Sequence, residues 1–105
     1  MNKRIEIPFL DEWEQSMLLG RKIMTSRNKK YGDEGDVFEA FGSQFELLEV
    51  KRRKLREVAF IHYDAEGCAD PEHFIEIWNK LHPRKGYQPE QLVWSHLFRS
   101  IKCGN

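Results

Sequence analysis

Two runs of extended character, Val37 to Phe41 and Phe45 to Arg53, are joined through Gly42 and Ser43. Parallel strands need a crossover of a dozen or more residues, so a connection this short obliges the two runs to pair as an antiparallel hairpin. Any fold open to the chain has to contain that pair. With 105 residues there is room for one modest core, and hence for a single domain over residues 1–105.

The flanking segments are read by periodicity. Lys3 to Phe9 alternates, with Ile5, Ile7 and Phe9 on one face, and Pro8 confines it to an edge or a strand end. Asp11 offers an N-cap with Glu14 three residues on, as in a capping box. Trp13, Met17 and Leu18 then form the apolar stripe of a helix that closes at Gly20, a residue suited to the left-handed position. Ile23 to Arg27 is extended, and the following NKKYGDEGD is turn chemistry. Leu55 to Ala65 reads either as a helix or, through VAFIHY, as a buried strand; the helical face of Leu55, Val58, Ala59, His62 and Tyr63 favours a helix ending at Gly67. Asp70-Pro71 starts another helix, with Phe74, Ile77, Trp78 and Leu81 on one face and His82-Pro83 as its stop. Leu92 to Ile101 alternates as a final strand. Short strands with few helices predict an α+β domain whose mostly antiparallel, curved sheet forms a small barrel with about three peripheral helices and a cleft on its rim.

Composition narrows the function classes. Hydrophobic residues make up 40% and aromatics 12% of the chain, which predicts an ordered globule. Seventeen basic residues balance seventeen acidic ones, so attraction to a polyanion has to come from local patches. The densest is Lys51-Arg52-Arg53-Lys54; Arg27, Lys29 and Lys30 form another. No apolar run approaches the length of a membrane span and MNKRIEIPF lacks a signal-peptide core, from which a cytoplasmic protein without membrane partners is expected. Cys68 and Cys103 suggest neither a disulfide framework nor a zinc site. His62, His73, His82 and His96 show no paired spacing, so neither a metal nor a cofactor is implied.

The segment Leu19 to Asp36 concentrates chemistry. Lys22, Thr25, Ser26 and Arg27 follow Gly20 at a helix-to-strand junction, and an amine beside a hydroxyl is a base beside a nucleophile once desolvation lowers the amine's pKa. Lys22 and Thr25 are three apart and would face opposite ways on a regular strand. Their convergence requires Lys22 to belong to the turn, or a bulge to intervene.

Gly20-Arg21-Lys22 with Thr25 and Arg27, then Gly35-Asp36 opening a strand, then Glu66-Gly67 ahead of a helix with Phe74 and Trp78, resembles the activating signal cointegrator homology (ASCH) domain family over residues 10 to 98. The resemblance implies the fold of RNA-binding PUA domains. Within the family, the G-R-K-x-x-T-x-R pattern is similar to that of small bacterial amidohydrolases that deacetylate N(4)-acetylcytidine. On that likeness Lys22 matches the catalytic Lys, Thr25 the nucleophile and Glu66 the third member, with an unidentified backbone amide holding the oxyanion. Ser26 stands where the pattern usually has an apolar residue. The expected ligand is an acylated nucleoside or single-stranded RNA. The competing readings are a noncatalytic RNA-binding module, gripping phosphates through Arg27, Lys29, Lys30 and Lys51 to Lys54, or a ribonuclease in the same cleft.

Overall fold

A computed structural model describes residues 2–101. The hairpin is built as the spacing requires. Strands that we label by order are β1 (Arg4–Ile5), β2 (Met24–Arg27), β3 (Val37–Ala40), β4 (Ser43–Lys54) and β5 (Leu92–Ile101), and the helices are α1 (Glu14–Leu18), α2 (Leu55–Phe60) and α3 (Pro71–Leu81). Ala40 pairs with Ser43, so Phe41 and Gly42 alone make the turn. Both have positive φ, 54° and 79°, the conformation whose twist matches that of the strands it joins.

The strands form one five-stranded sheet in the order β1-β3-β4-β5-β2. All neighbours are antiparallel except β1 and β3. The α+β class, the mostly antiparallel sheet and the three helices are those read from the sequence. The sheet is not closed by hydrogen bonds: β1 and β2 are its two edges. Between Leu47 and Glu49 the β4–β5 register slips by one residue, a bulge that leaves Leu48 exposed.

Apolar side chains cover both faces of this sheet. On one face Leu55, Val58, Ala59, Phe74, Trp78 and Val93 join α2 and α3 to β5. On the other, Ile7, Met17, Phe38, Phe45, Leu47 and Phe98 pack together. Phe38, Phe45 and Phe98 lie with ring centroids 5.3 to 5.5 Å apart. Burying each ring stabilises the fold by roughly 1.5–3 kcal/mol relative to exposure. Trp13 packs against both clusters.

Three segments differ from the sequence reading. The strand expected over Lys3 to Phe9 pairs only at Arg4 and Ile5, before Pro8 removes a donor. The helix after Asp11 opens as a 3-10 turn, Asp11–Trp13, whose N-cap is Leu10 and which no side chain caps. Only Glu14–Leu18 is α-helical, and Gly20, φ +77°, closes it. α2 stops at Phe60 instead of reaching Gly67. There the chain breaks into successive turns (Glu66 N–H to His62 O, Gly67 N–H to Asp64 O, Cys68 N–H to Tyr63 O) that carry Ala65 and Glu66 to the edge of β2. The third helix begins as read, Asp70 accepting the His73 N–H at 2.8 Å. Cys103 lies outside the described residues, and Cys68 is a buried free thiol.

Candidate functional site at the edge of strand β2

β2 pairs with β5 on one side only. On its outer side the Ile23 and Met24 N–H groups both donate to Ala65 O, at 2.8 and 3.0 Å, and beyond them the edge is open. A cavity of about 560 Å³ wraps this open edge. Successive residues of a strand point to opposite faces, yet Thr25 and Ser26 both line the cavity, because it reaches round the edge from one face to the other. Phe9, Arg27 and Tyr31 wall it on the face of the phenylalanine cluster, and Phe74 and Trp78 on the α3 face.

Lys22 belongs to the turn, not to the strand. Its N–H and that of Arg21 both donate to Ser16 O, closing the turn after α1. The side chain, 3% exposed, passes over the Trp13 ring with Nζ 4.4 Å from its centroid. Nζ donates to Met24 O at 2.9 Å and Glu66 O at 2.8 Å, and meets Glu66 Oε1 at 3.3 Å. Burial pulls the Lys22 amine below its usual pKa, opposed by the Glu66 carboxylate. Glu66 is also buried, and its other oxygen, Oε2, accepts from Ser26 Oγ at 2.7 Å. Ser26 Oγ is in turn 2.8 Å from Ser95 Oγ on β5. A chain of hydrogen bonds thus runs Ser95–Ser26–Glu66–Lys22.

Of the three residues marked as catalytic, the structure joins Lys22 to Glu66 directly. Thr25 lines the same cavity, but its Oγ1 accepts from Arg27 Nε at 2.9 Å. The hydroxyl bonded to the ion pair is that of Ser26. The sequence marks Ser26 as one of the reactive groups after Gly20 but gives it no role, and it gives Ser95 none. Both are identified by strand register, Ser26 opposite Ser95, which no local signal encodes.

Arg27 reaches Pro8 O at 2.6 Å and lies against the Phe9 and Tyr31 rings, 5.1 and 5.4 Å from their centroids. Lys29 lines the cavity too and sits over Tyr31 at 4.7 Å. Lys30 pairs with Asp33 and lies over Trp94, which Arg52 also covers. Lys51, Arg52, Arg53 and Lys54 do not line the cavity. Lys51 and Arg53 pair with Glu49, and Lys54 with Glu90. Of the nearby aromatics, Tyr31 is at the cavity, Trp94 is half-buried and Phe98 belongs to the core.

His96, fully buried, acts behind the site. Tyr31 N–H donates to its Nε2 at 3.0 Å, so the proton sits on Nδ1, which donates to Thr25 O at 3.0 Å. Burial holds its pKa below the ordinary value. Cys68 lines the cavity, but burial pushes its thiol up to about 11, leaving it unreactive. Among the described residues no three His, Cys, Asp or Glu side chains cluster to hold a metal ion, and no helix is long and apolar enough to cross a membrane.

The class that this architecture defines is an ASCH-fold domain, a five-stranded α+β sheet with peripheral helices, as the motif resemblance implied. Solved structures carry that statement. An ASCH domain from Lactobacillus crispatus superposes with a TM-score of 0.59 at 12% identity, covering 94% of this chain and 79% of that one. Protein EF3133 from Enterococcus faecalis, described by the family-model DUF984, gives 0.64 at 17% identity over 95% of this chain and 79% of its own. Protein PF0455 from Pyrococcus furiosus gives 0.61 at 12% identity over 96% and 97%. At these identities the likeness is one of fold. No family model and no curated protein matches the sequence.

Proposed function

We propose that this chain is an amide hydrolase that removes an acyl group from an acylated nucleobase or nucleoside such as N(4)-acetylcytidine. One observation carries the reading: the buried Lys22–Glu66 ion pair, 3.3 Å apart, in the wall of a cavity that Thr25 also lines. Sequestering two charges costs several kcal/mol per ion, and well-packed apolar residues often replace such pairs without loss. A pair retained beside a hydroxyl in a concave site fits proton transfer better than structural support.

In this reading Lys22 reacts in its neutral form, which burial favours, and takes the Thr25 proton as Thr25 Oγ1 attacks the acyl carbon. The tetrahedral oxyanion forms, the C–N bond breaks, and the departing amine receives a proton from the Lys22–Glu66 pair. Water then attacks the acyl-threonine ester, the same pair accepting its proton, and the carboxylate leaves with Thr25 restored. Arg27, bonded to Oγ1, stabilises the developing alkoxide. Ser26 and Ser95 hold Glu66 in place. The aromatic walls, Phe9, Trp13 and Tyr31 among them, suit a planar base.

The test is chromatographic. Purified protein incubated with N(4)-acetylcytidine should release cytidine and acetate, and Lys22→Ala and Thr25→Ala should each abolish release by at least a hundredfold while leaving the circular dichroism spectrum unchanged. Absence of cytidine release by the unaltered protein would sink the proposal for this substrate.

A second reading is favoured by a separate observation, the cation-covered aromatics Tyr31 and Trp94. Stacked bases flanked by Arg and Lys are how single-stranded RNA is held, without sequence readout or catalysis. Thr25→Ala would then leave RNA affinity unchanged.

A further inference from the structure

The register of β2 assigns a role to a group that no motif could mark. Phe98 N–H donates to Ile23 O at 2.8 Å, so the Ile23 carbonyl faces β5, although its N–H turns outward to Ala65. Met24 faces the other way: its N–H donates to Ala65 O and its carbonyl accepts from Lys22 Nζ, both off the sheet. Peptide groups alternate sides along an antiparallel ladder, so Thr25 and Arg27 face β5 again and Ser26 faces outward. Met24 is covered by Ala65 and Lys22. Ser26 is the next outward residue along the edge and lines the cavity, and the alternation turns its N–H away from β5.

We infer that the Ser26 backbone N–H is the oxyanion-binding donor of the site. The inference rests on the hydrolase reading and deepens it. The amide belongs to the peptide bond between Thr25 and Ser26, so it is covalently fixed beside the attacking hydroxyl. A backbone donor immediately after the nucleophile is a recurrent solution for acyl transfer, because a rigid amide needs no reorganisation when the carbonyl oxygen becomes charged. In the step concerned, the Thr25 Oγ1 electron pair forms the new C–O bond, and the carbonyl π pair moves onto oxygen. That oxygen accepts the Ser26 N–H until the pair returns and the C–N bond breaks. The Ser26 side chain anchors the donor from the opposite side, since its bonds to Glu66 Oε2 and Ser95 Oγ hold the residue against the sheet.

The experiment removes the N–H and nothing else. Cell-free translation with a tRNA carrying the α-hydroxy analogue of serine replaces the Thr25–Ser26 amide by an ester and retains the Ser26 hydroxyl. Because this N–H makes no ladder bond, the ester protein should unfold at the same temperature as the unaltered one. Its kcat for N(4)-acetylcytidine should fall on the order of 10²–10³-fold with KM nearly unchanged, as expected of a donor used only in the transition state. Ser26→Pro, which lacks the same N–H at an edge position where Pro is tolerated, should lose at least as much and provides the second variant should the ester protein fail to fold. If the unaltered protein turns over and either folded variant keeps kcat within threefold, the oxyanion assignment is overturned while the hydrolase reading stands. If the unaltered protein releases no cytidine, both are overturned.

Discussion

At the scale of single residues, the site depends on protons held where water cannot reach them. His96 is the clearest case, because its two nitrogens have opposite tasks: Nδ1–H donates to Thr25 O and Nε2 accepts from Tyr31. A second proton on Nε2 would face the Tyr31 N–H; burial opposes it most, Arg27 and Lys30 add repulsion, and the backbone of Thr25 and of Trp94 favours it. The folded protein therefore resists protonation that the unfolded chain accepts near its ordinary value of about 6.5. Between that value and the lower folded one the unfolded state binds more protons, so stability falls as pH drops below about 6.5. We expect a lower urea midpoint at pH 5 than at pH 7.5. His62, also depressed by burial and then by Arg53, contributes to the same trend. His96→Gln should therefore shrink the difference without abolishing it, whatever its effect on absolute stability. Lys22, Thr25 and Glu66 were legible as residue types at motif spacing. Their partners were not: Thr25 is taken up by Arg27 two residues on, and the ion pair by Ser26, whose bond to Glu66 spans 40 residues and depends on tertiary packing.

At the scale of elements, the site depends on two interruptions, the turn after α1 and the broken end of α2. Gly67 sits at the second with φ +90°, in the left-handed region that side chains disfavour. A Cβ there would come within 3.0 Å of both Lys22 Cβ and Trp13 Cζ3. Gly67→Ala should thus destabilise the fold by about 1–3 kcal/mol, read from the denaturant midpoint, and displace the amine, which on the proposed hydrolase reading lowers kcat more than it changes KM. Helix α3 and the hairpin could be read directly because their signals are local: Asp70-Pro71 at the start, and a spacing too short for any crossover. The end of α2 could not. The apolar spacing of Leu55, Val58 and Ala59 continues to His62 and Tyr63, whereas the acceptor that Ala65 gives Ile23 and Met24 lies across the fold, out of reach of any local signal.

At the scale of the whole molecule, charge is distributed unlike its sequence. The longest basic run, Lys51 to Lys54, is engaged by Glu49, Glu90 and the Trp94 ring, while Arg27 and Lys29 border the cavity. If single-stranded RNA binds, Lys29→Ala should reduce the slope of log affinity against log salt by about 0.7, measured by fluorescence anisotropy, and Lys51→Ala by much less. The sequence by itself determined the α+β class, the hairpin, the third helix and the residue types of the site, because periodicity, capping and turn chemistry act over a few neighbours. Tertiary structure alone decided that β2 is an edge strand and that Glu66 is brought to it. It also decided that two adjacent hydroxyls on opposite faces share one cavity, and that the Ser26 amide turns away from β5. These are properties of strand order and register, which arise only when distant segments bury their apolar faces together.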